Sequence, residues 1–229
     1  MDTMWLRVRA PFAAFRGFQA GTYRATSPVM PPSTAFGLIL NLAAIEMRES
    51  LNSPITVIKK ELPKLKISIG TLSEAERCSL YQQLHSYPVG ASGKELAART
   101  KGAKYWIVPA RREILIDYDG IVGVQSEDDY LFNRVKQGLC GELQEPRYGL
   151  PFAGDNNLLF DRIEIVEEPP ETTRWYSRIQ PGDSPRKGSC RLTVGINRTD
   201  NSRTTSYLYA PTFECGKEPP EAAWTWTPA

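Results

Sequence analysis

The chain has a single histidine, His85, and it falls close to Tyr81, Tyr87 and Lys94. Those residue types could serve a metal-independent ribonuclease. His85 or Tyr81 would take a proton from the attacking hydroxyl, and Lys94 would stabilise charge developing on the phosphate. A lone histidine is more often a structural residue. Other chemistries are poorly supplied. No Cys/His cluster has zinc-ligand spacing, and the serines and threonines after Asn197 have no nearby histidine to build a hydrolase triad. The acidic run Glu127-Asp128-Asp129 complements the positive end of a helix without a metal. We therefore expect no cofactor and no metal.

A second group of residues suits binding. Residues 10–24, APFAAFRGFQAGTYR, mix Phe12, Phe15, Phe18 and Tyr23 with Arg16 and Arg24, a composition fit to stack on bases while gripping phosphates. An equally open reading is a loop whose aromatics plug the core. Pro31-Pro32-Ser33-Thr34 then leads into an apolar run. Backbone N–H groups, the positive end of the helix dipole and two hydroxyls would meet there, as an anion site requires. The ordinary alternative is that Ser33 or Thr34 caps the helix. Gly90-Ala91-Ser92-Gly93-Lys94 is not a phosphate-binding loop of the NTPase kind, because the glycines are too close and Glu95 stands where a magnesium-holding hydroxyl belongs.

Charge is divided along the chain. The net charge of the 229 residues is +2, but residues 1–112 carry 16 Lys/Arg against 7 Asp/Glu, and residues 113–229 carry 12 against 19. The first half is suited to a polyanion, the second to a protein partner or to solvent.

The elements that must position these groups follow from periodicity. Trp5–Arg9 and Lys64–Ile69 alternate as strands, each with an apolar and a basic face. A helix is expected from Ser33 to Met47, apolar on several sides, with Gly37 marking a close backbone approach. Leu72–Leu84 reads as a short helix capped by Ser73 with Glu76 as its capping-box partner. An arm at about residues 71–104 follows from glycine joints and the charges Lys94, Arg99, Lys101 and Lys104. Tyr105–Val108 and Glu113–Tyr118 read as strands joined by a tight basic turn holding Arg111 and Arg112. Ser126 caps a second helix with a Leu131/Val135/Leu139 stripe. A loop from Arg147 to Gly154 then leads into a strand ending at Val166. Short strands are expected at Arg191–Ile196 and Ser206–Tyr209, and Trp224 and Trp226 suggest a docking strip. This order is α+β: a ferredoxin-like (RRM/RAMP) domain over residues 1–168 with a thumb-like arm inserted, and a β-rich C-terminal extension over 169–229.

Four dispersed cysteines, Cys78, Cys140, Cys190 and Cys215, suit free thiols in a reducing cytosol. Charges at Met1–Arg9 argue against a signal peptide, and no apolar run is long enough to span a bilayer. A cytoplasmic location away from membranes is expected.

Met30-Pro31-Pro32-Ser33-Thr34-Ala35-Phe36-Gly37-Leu38-Ile39-Leu40, after a strand and an Arg/Phe-rich loop, resembles the Cas-five family, the CRISPR-associated RAMP subunit of type I Cascade. Arg147-Tyr148-Gly149-Leu150-Pro151-Phe152-Ala153-Gly154 is similar to that family's glycine-bearing loop. The resemblance covers most of residues 4–168. It implies a subunit that grips the 5′ handle of the guide crRNA, extends a thumb over the first guide nucleotides, and touches the Cascade backbone subunit and the large subunit, with target DNA met through the complex. On that reading Arg16, Arg24, Ser33 and Thr34 hold handle phosphates and Phe18 or Tyr23 stacks on a base. Lys94, Arg99, Lys101 and Lys104 belong to the thumb, and Arg111, Arg112, Arg147 and Tyr148 complete the RNA-binding set. One branch of the family cuts precursor crRNA with a Tyr/Lys/His set. The alternative is therefore an endoribonuclease using His85, Tyr81 and Lys94.

Overall fold

A computed structural model describes residues 2–17, 23–49, 57–88 and 105–228. The protein is α+β: among the described residues, a ten-stranded and almost wholly antiparallel sheet carries two α-helices. In chain order the elements are β1 (Asp2–Ala13), β2 (Tyr23–Arg24), α1 (Pro32–Leu42), β3 (Leu65–Thr71), β4 (Glu76–Pro88), β5 (Tyr105–Ser126), α2 (Asp129–Cys140), β6 (Arg162–Val166), β7 (Arg174–Arg178), β8 (Cys190–Gly195), β9 (Thr205–Pro211) and β10 (Thr225–Thr227). The sheet runs β6-β1-β5-β3-β7-β9-β8, with β10 on β3 and with β2 and β4 on β5. Helix α1 links β1 to β3, and α2 links β5 to β6.

β5, at 22 residues, organises the sheet. Its C-terminal part lies between β1 and β3, and its N-terminal part pairs with β4 to make a long ribbon, with β2 alongside at Arg111 and Arg112. On one edge of β5 the partner changes from β4 to β3 around Asp117, while on the other edge β1 stays paired across it to Leu115. Asp117 has φ 57, which side chains other than glycine rarely adopt. Opposite it the β1 register passes from Ala10↔Tyr118 to Phe12↔Ile116, stepping over Pro11, which has no N–H to give.

Alternation on β1 sends Met4, Leu6, Val8 and Ala10 into the core. They meet α1, which is buried on nearly every side, and the Leu131/Val135 face of α2. The other sheet face has a smaller cluster. There Trp5 lies 5.7 Å from Trp175 and 5.9 Å from Trp224, ring centre to ring centre, over Gly123, where a Cβ would strike Ser68, Trp5 and Trp224. Residues 169–229 thus lengthen the sheet and cover its second face. Trp224 belongs to that packing and not to a docking strip, while Trp226 is half exposed.

Several local expectations are corrected. Leu72–Leu84 is not helical: Glu76–Pro88 is strand, because pairing with β5 offers this segment a full ladder of hydrogen bonds. The turn expected at 109–112 is absent, since β5 runs straight through it opposite Leu80–Gln83. Helix α1 stops at Leu42, where Ala44 turns to φ 52, and does not reach Met47. Neither Ser33 nor Thr34 caps it; Pro31 is the cap residue, and its carbonyl accepts from the N–H groups of Thr34 and Ala35. Asp128, not Ser126, caps α2 by accepting from the Tyr130 N–H, while Ser126 Oγ accepts from the Asp128 N–H. All four cysteines are free thiols. Among the described residues no helix is long and apolar enough to cross a membrane.

Gly37 has open space where a Cβ would be, and the close approach falls instead at Gly138 of α2, whose Cβ would collide with the Leu42 carbonyl at the end of α1. Gly138→Ala is expected to lower stability by about 2 kcal/mol or more, since backbone must move. Gly37→Ala is expected to be neutral or stabilising by up to about 1 kcal/mol. Thermal denaturation of the pair checks this, and equal effects would sink the assignment.

Candidate nucleic-acid interface

Phe15 and Thr26 begin the site. Phe15 is buried edge-on against Tyr118, with ring centres 5.0 Å apart, so this member of the aromatic-rich loop plugs the core. The Phe15 N–H donates to Thr26 Oγ1 and the Ser27 N–H to the Phe15 carbonyl, closing the loop at its base. Tyr118 in turn accepts from the Met30 N–H, and burial pushes its hydroxyl pKa well above the ordinary phenol range. The loop's two ends are thereby fixed, and Arg16 and Arg24 leave it on the same side as Arg112 of β5.

Asp155 holds that set together. Its carboxylate accepts from Arg16 Nη2 at 2.9 Å and pairs with Arg112 Nη2, while Oδ1 accepts from the Asn157 N–H and side-chain amide, each at 3.0 Å. Burial alone would raise the carboxyl pKa. The Asn157 N–H and the two guanidinium groups outweigh burial and hold it down at about 2. Gly154 locks the loop that carries it: at φ 83, a Cβ there would strike Ala14 and Phe15, and the Ala14 N–H donates to the Ala153 carbonyl at 2.9 Å.

Around this pair opens a depression of about 400 Å³ lined by Arg16, Arg24, Gln82, Gln83, Arg112 and the loop Asp155-Asn156-Asn157. Three guanidinium groups face one carboxylate, and the rest of the lining is amide. Arg112 is 6% exposed, and its Nε is buried without a hydrogen-bond partner. A surplus of cationic donors with amides beside them is chemistry for a phosphate and the polar edge of a base. Among the described residues no group of His, Cys, Asp and Glu could hold a metal ion.

The structure brings together Arg16, Arg24 and Arg112, while Tyr23 and Arg111, the neighbouring pair of the β2–β5 register, alternate to the other face and do not line the depression. Tyr23 is half exposed, and its hydroxyl donates to Glu113 at 2.8 Å, which raises its pKa. Ser33 and Thr34 do not line the depression. At their helix start Pro31 and Pro32 carry no N–H, and that of Thr34 is already bonded to Pro31, so the backbone presents few free donors. Arg147 donates to the Gly138 carbonyl at the end of α2, and Tyr148 lies under the Arg48 guanidinium with its hydroxyl near the Gly37 carbonyl. These two brace the helices away from the depression. The basic face expected on β1 is partly neutralised, because Arg7 makes a two-point pair with Asp119 at 3.0 and 2.7 Å. Phe18, Lys94, Arg99, Lys101 and Lys104 lie outside the described residues. His85 runs in β4, where an extended backbone separates it from the exposed Tyr81 by about 13 Å, against about 6 Å on one helical turn. Asp155, Asn156, Asn157, Gln82 and Gln83 were not among the expected site residues; the Gly154-Asp155-Asn156-Asn157 turn was the local sign of the first three, and Gln82 and Gln83, in β4, had none.

The family described as CRISPR-associated protein (Cas_Cas5) matches residues 3–140. Among solved structures, a chain of a "CRISPR RNA-guided surveillance complex" is similar at 13% identity and a TM-score of 0.60, over 96% of this chain and 92% of that one. A chain titled "Crystal structure of Cas protein" is 13% identical with a TM-score of 0.48, over 96% of this chain and 100% of that one. No curated protein matches the chain.

Replacing Asp155 by Asn should cost about 3 kcal/mol at neutral pH, because Arg112 is left as a buried charge without its counter-ion. The depressed carboxyl pKa adds stability that is complete above the ordinary carboxylate range and is lost as pH falls from about 4 towards 2. The gap between native and variant proteins in urea denaturation should therefore close over that interval; a gap that persists at low pH would refute the pairing.

Proposed function

The chain belongs to the Cas5 family of CRISPR-associated proteins, and from that we propose that it is a non-catalytic RNA-binding subunit of a CRISPR RNA-guided surveillance complex of the Cascade kind. Its ligand would be the 5′ handle of the guide crRNA. The observation that carries the reading is the Arg16/Arg24/Arg112 depression, set by Asp155 into a surface short of negative charge. Arg16 and Arg24 take backbone phosphates, and Asn156, Asn157, Gln82 and Gln83 meet a base edge. Sequence matching to a target is left to the guide itself.

The finer fold reading is ferredoxin-like. It is supported by the order β6-β1-β5-β3, antiparallel throughout, with α1 and α2 as the two crossovers. On this view residues 1–168 form the RAMP domain and 169–229 an extension that lengthens its sheet. The β4–β5 ribbon is the thumb-like arm, and Lys94, Arg99, Lys101 and Lys104 track the first guide nucleotides from it. Phe18 or Tyr23 stacks on a base. Ser33 and Thr34 make a secondary phosphate contact, Arg111 adds another on the opposite face of the ribbon, and Arg147 and Tyr148 contribute by holding α1 and α2. The backbone subunit and the large subunit are the proposed protein neighbours, with target DNA met through the complex, in the cytoplasm.

Arg16→Ala with Arg24→Ala should weaken binding of a fluorescent 5′-handle RNA by one to two orders of magnitude. It should also flatten the plot of log affinity against log salt by about 1.4, the share of two phosphate contacts on a single strand. Anisotropy titrations across salt measure both; an unchanged slope in a folded variant would remove the depression from the interface. Ser33→Ala with Thr34→Ala should weaken handle binding more than it weakens folding. In EDTA, precursor repeat RNA should stay intact; cutting that His85→Ala abolishes would overturn the non-catalytic assignment.

A further inference from the structure

A second concavity, of about 430 Å³, lies on the extension and shares no lining residue with the RNA depression. Beneath it lies Trp175, 1% exposed and held in the cluster on the second sheet face. Its wall is the backbone after β9. The Thr212 N–H donates to the Trp175 carbonyl at 2.8 Å and the Gly216 N–H to the Thr173 carbonyl at 3.0 Å, while Trp175 Nε1 donates to the Gly216 carbonyl at 2.8 Å. These bonds make the wall a built feature of the fold.

The rim combines two chemistries. Phe213 is 80% exposed, a large apolar surface that water disfavours. Glu214 and Glu218 flank it, and the nearby Lys217 is drawn off by Glu168 at 2.6 Å and Glu171 at 3.9 Å. The ring already attracts a guanidinium of its own chain: Arg186 sits 5.0 Å over its centre. An aromatic face beside carboxylates that make no ion pair among the described residues complements a cationic side chain next to an apolar one, and it repels a polyanion. We infer that this groove is a docking site for a basic, partly apolar segment of a partner protein, with arginine on the Glu214 and Glu218 carboxylates and an aliphatic neighbour against the exposed Phe213 ring. This goes beyond the RNA reading and does not need it.

The probe is a fluorescein-labelled octapeptide alternating arginine and leucine, with a counterpart carrying glutamate for arginine, titrated against the full chain. The arginine peptide should bind and the glutamate peptide should not. Phe213→Ala, and separately Glu214→Gln with Glu218→Gln, should each weaken binding at least tenfold. Glu127→Gln with Glu142→Gln, remote acidic positions outside the groove, should change it less than twofold. Both groove variants should keep the native melting temperature and handle-RNA affinity, so failure here is separable from failure of the RNA assignment. Groove variants that bind the peptide as the native protein does, a remote variant that loses as much, or equal binding of the glutamate peptide would each overturn the inference.

Discussion

Backbone pairing along β5 is the constraint on which the rest of the molecule depends. One strand has to satisfy β1 and β3 in the sheet and β4 and β2 in the ribbon, and no strand can serve four partners over the same residues. The chain divides the strand lengthwise and places a left-handed residue, Asp117, where β4 gives way to β3. The division sets the position of Arg112, just on the ribbon side of that point and directly beside Arg24 of β2.

The Asp155 cluster then answers a problem that this placement creates. A guanidinium taken to near-complete burial loses its hydration, and in isolation that costs several kcal/mol. Asp155 restores a counter-ion, and Asn157 and Gly154 restrict the carboxylate to one geometry. The cation surplus persists because one carboxylate is shared between Arg16 and Arg112 while Arg24 stands beside them. Burial and function are thereby served by different members of one cluster: Arg112 is fixed, and Arg16, with half of its side chain exposed, can exchange Asp155 for another anion.

Much of this was legible in the sequence where alternation or helical spacing was strong. Leu6 and Val8, Leu65, Ile67 and Ile69, and the Leu131/Val135 stripe all face the core as their spacing implies. The apolar run after Pro32 marked a helix covered on several sides, and the family resemblance rested on that same run. Glu76–Pro88 was not legible as a strand, because Glu76, Gln82 and Gln83 satisfy a helical pattern as well as a ladder does and the decision lies with β5, far away in sequence. The expected basic turn at Arg111 and Arg112 failed for the same reason: Pro109 usually breaks a strand, but here it lies opposite Gln83 within the ribbon. In the site, Arg16 and Arg24 announced themselves by type. Asp155 did not, since its importance comes from a fold that brings it to a residue 43 positions earlier.

The change of partners at Asp117 has a mechanical meaning. β5 would measure about 73 Å if fully extended, and its ribbon half projects from the sheet while its other half is clamped between β1 and β3. A force applied along the ribbon has no loop in which to dissipate before it reaches the Tyr118–Ser126 segment at the centre of the sheet. β1 carries its pairing across Asp117 to Leu115, and Pro11 brings no N–H to the residue opposite it, so the ladder is thinned where β4 gives way to β3 and load from the ribbon passes to β1.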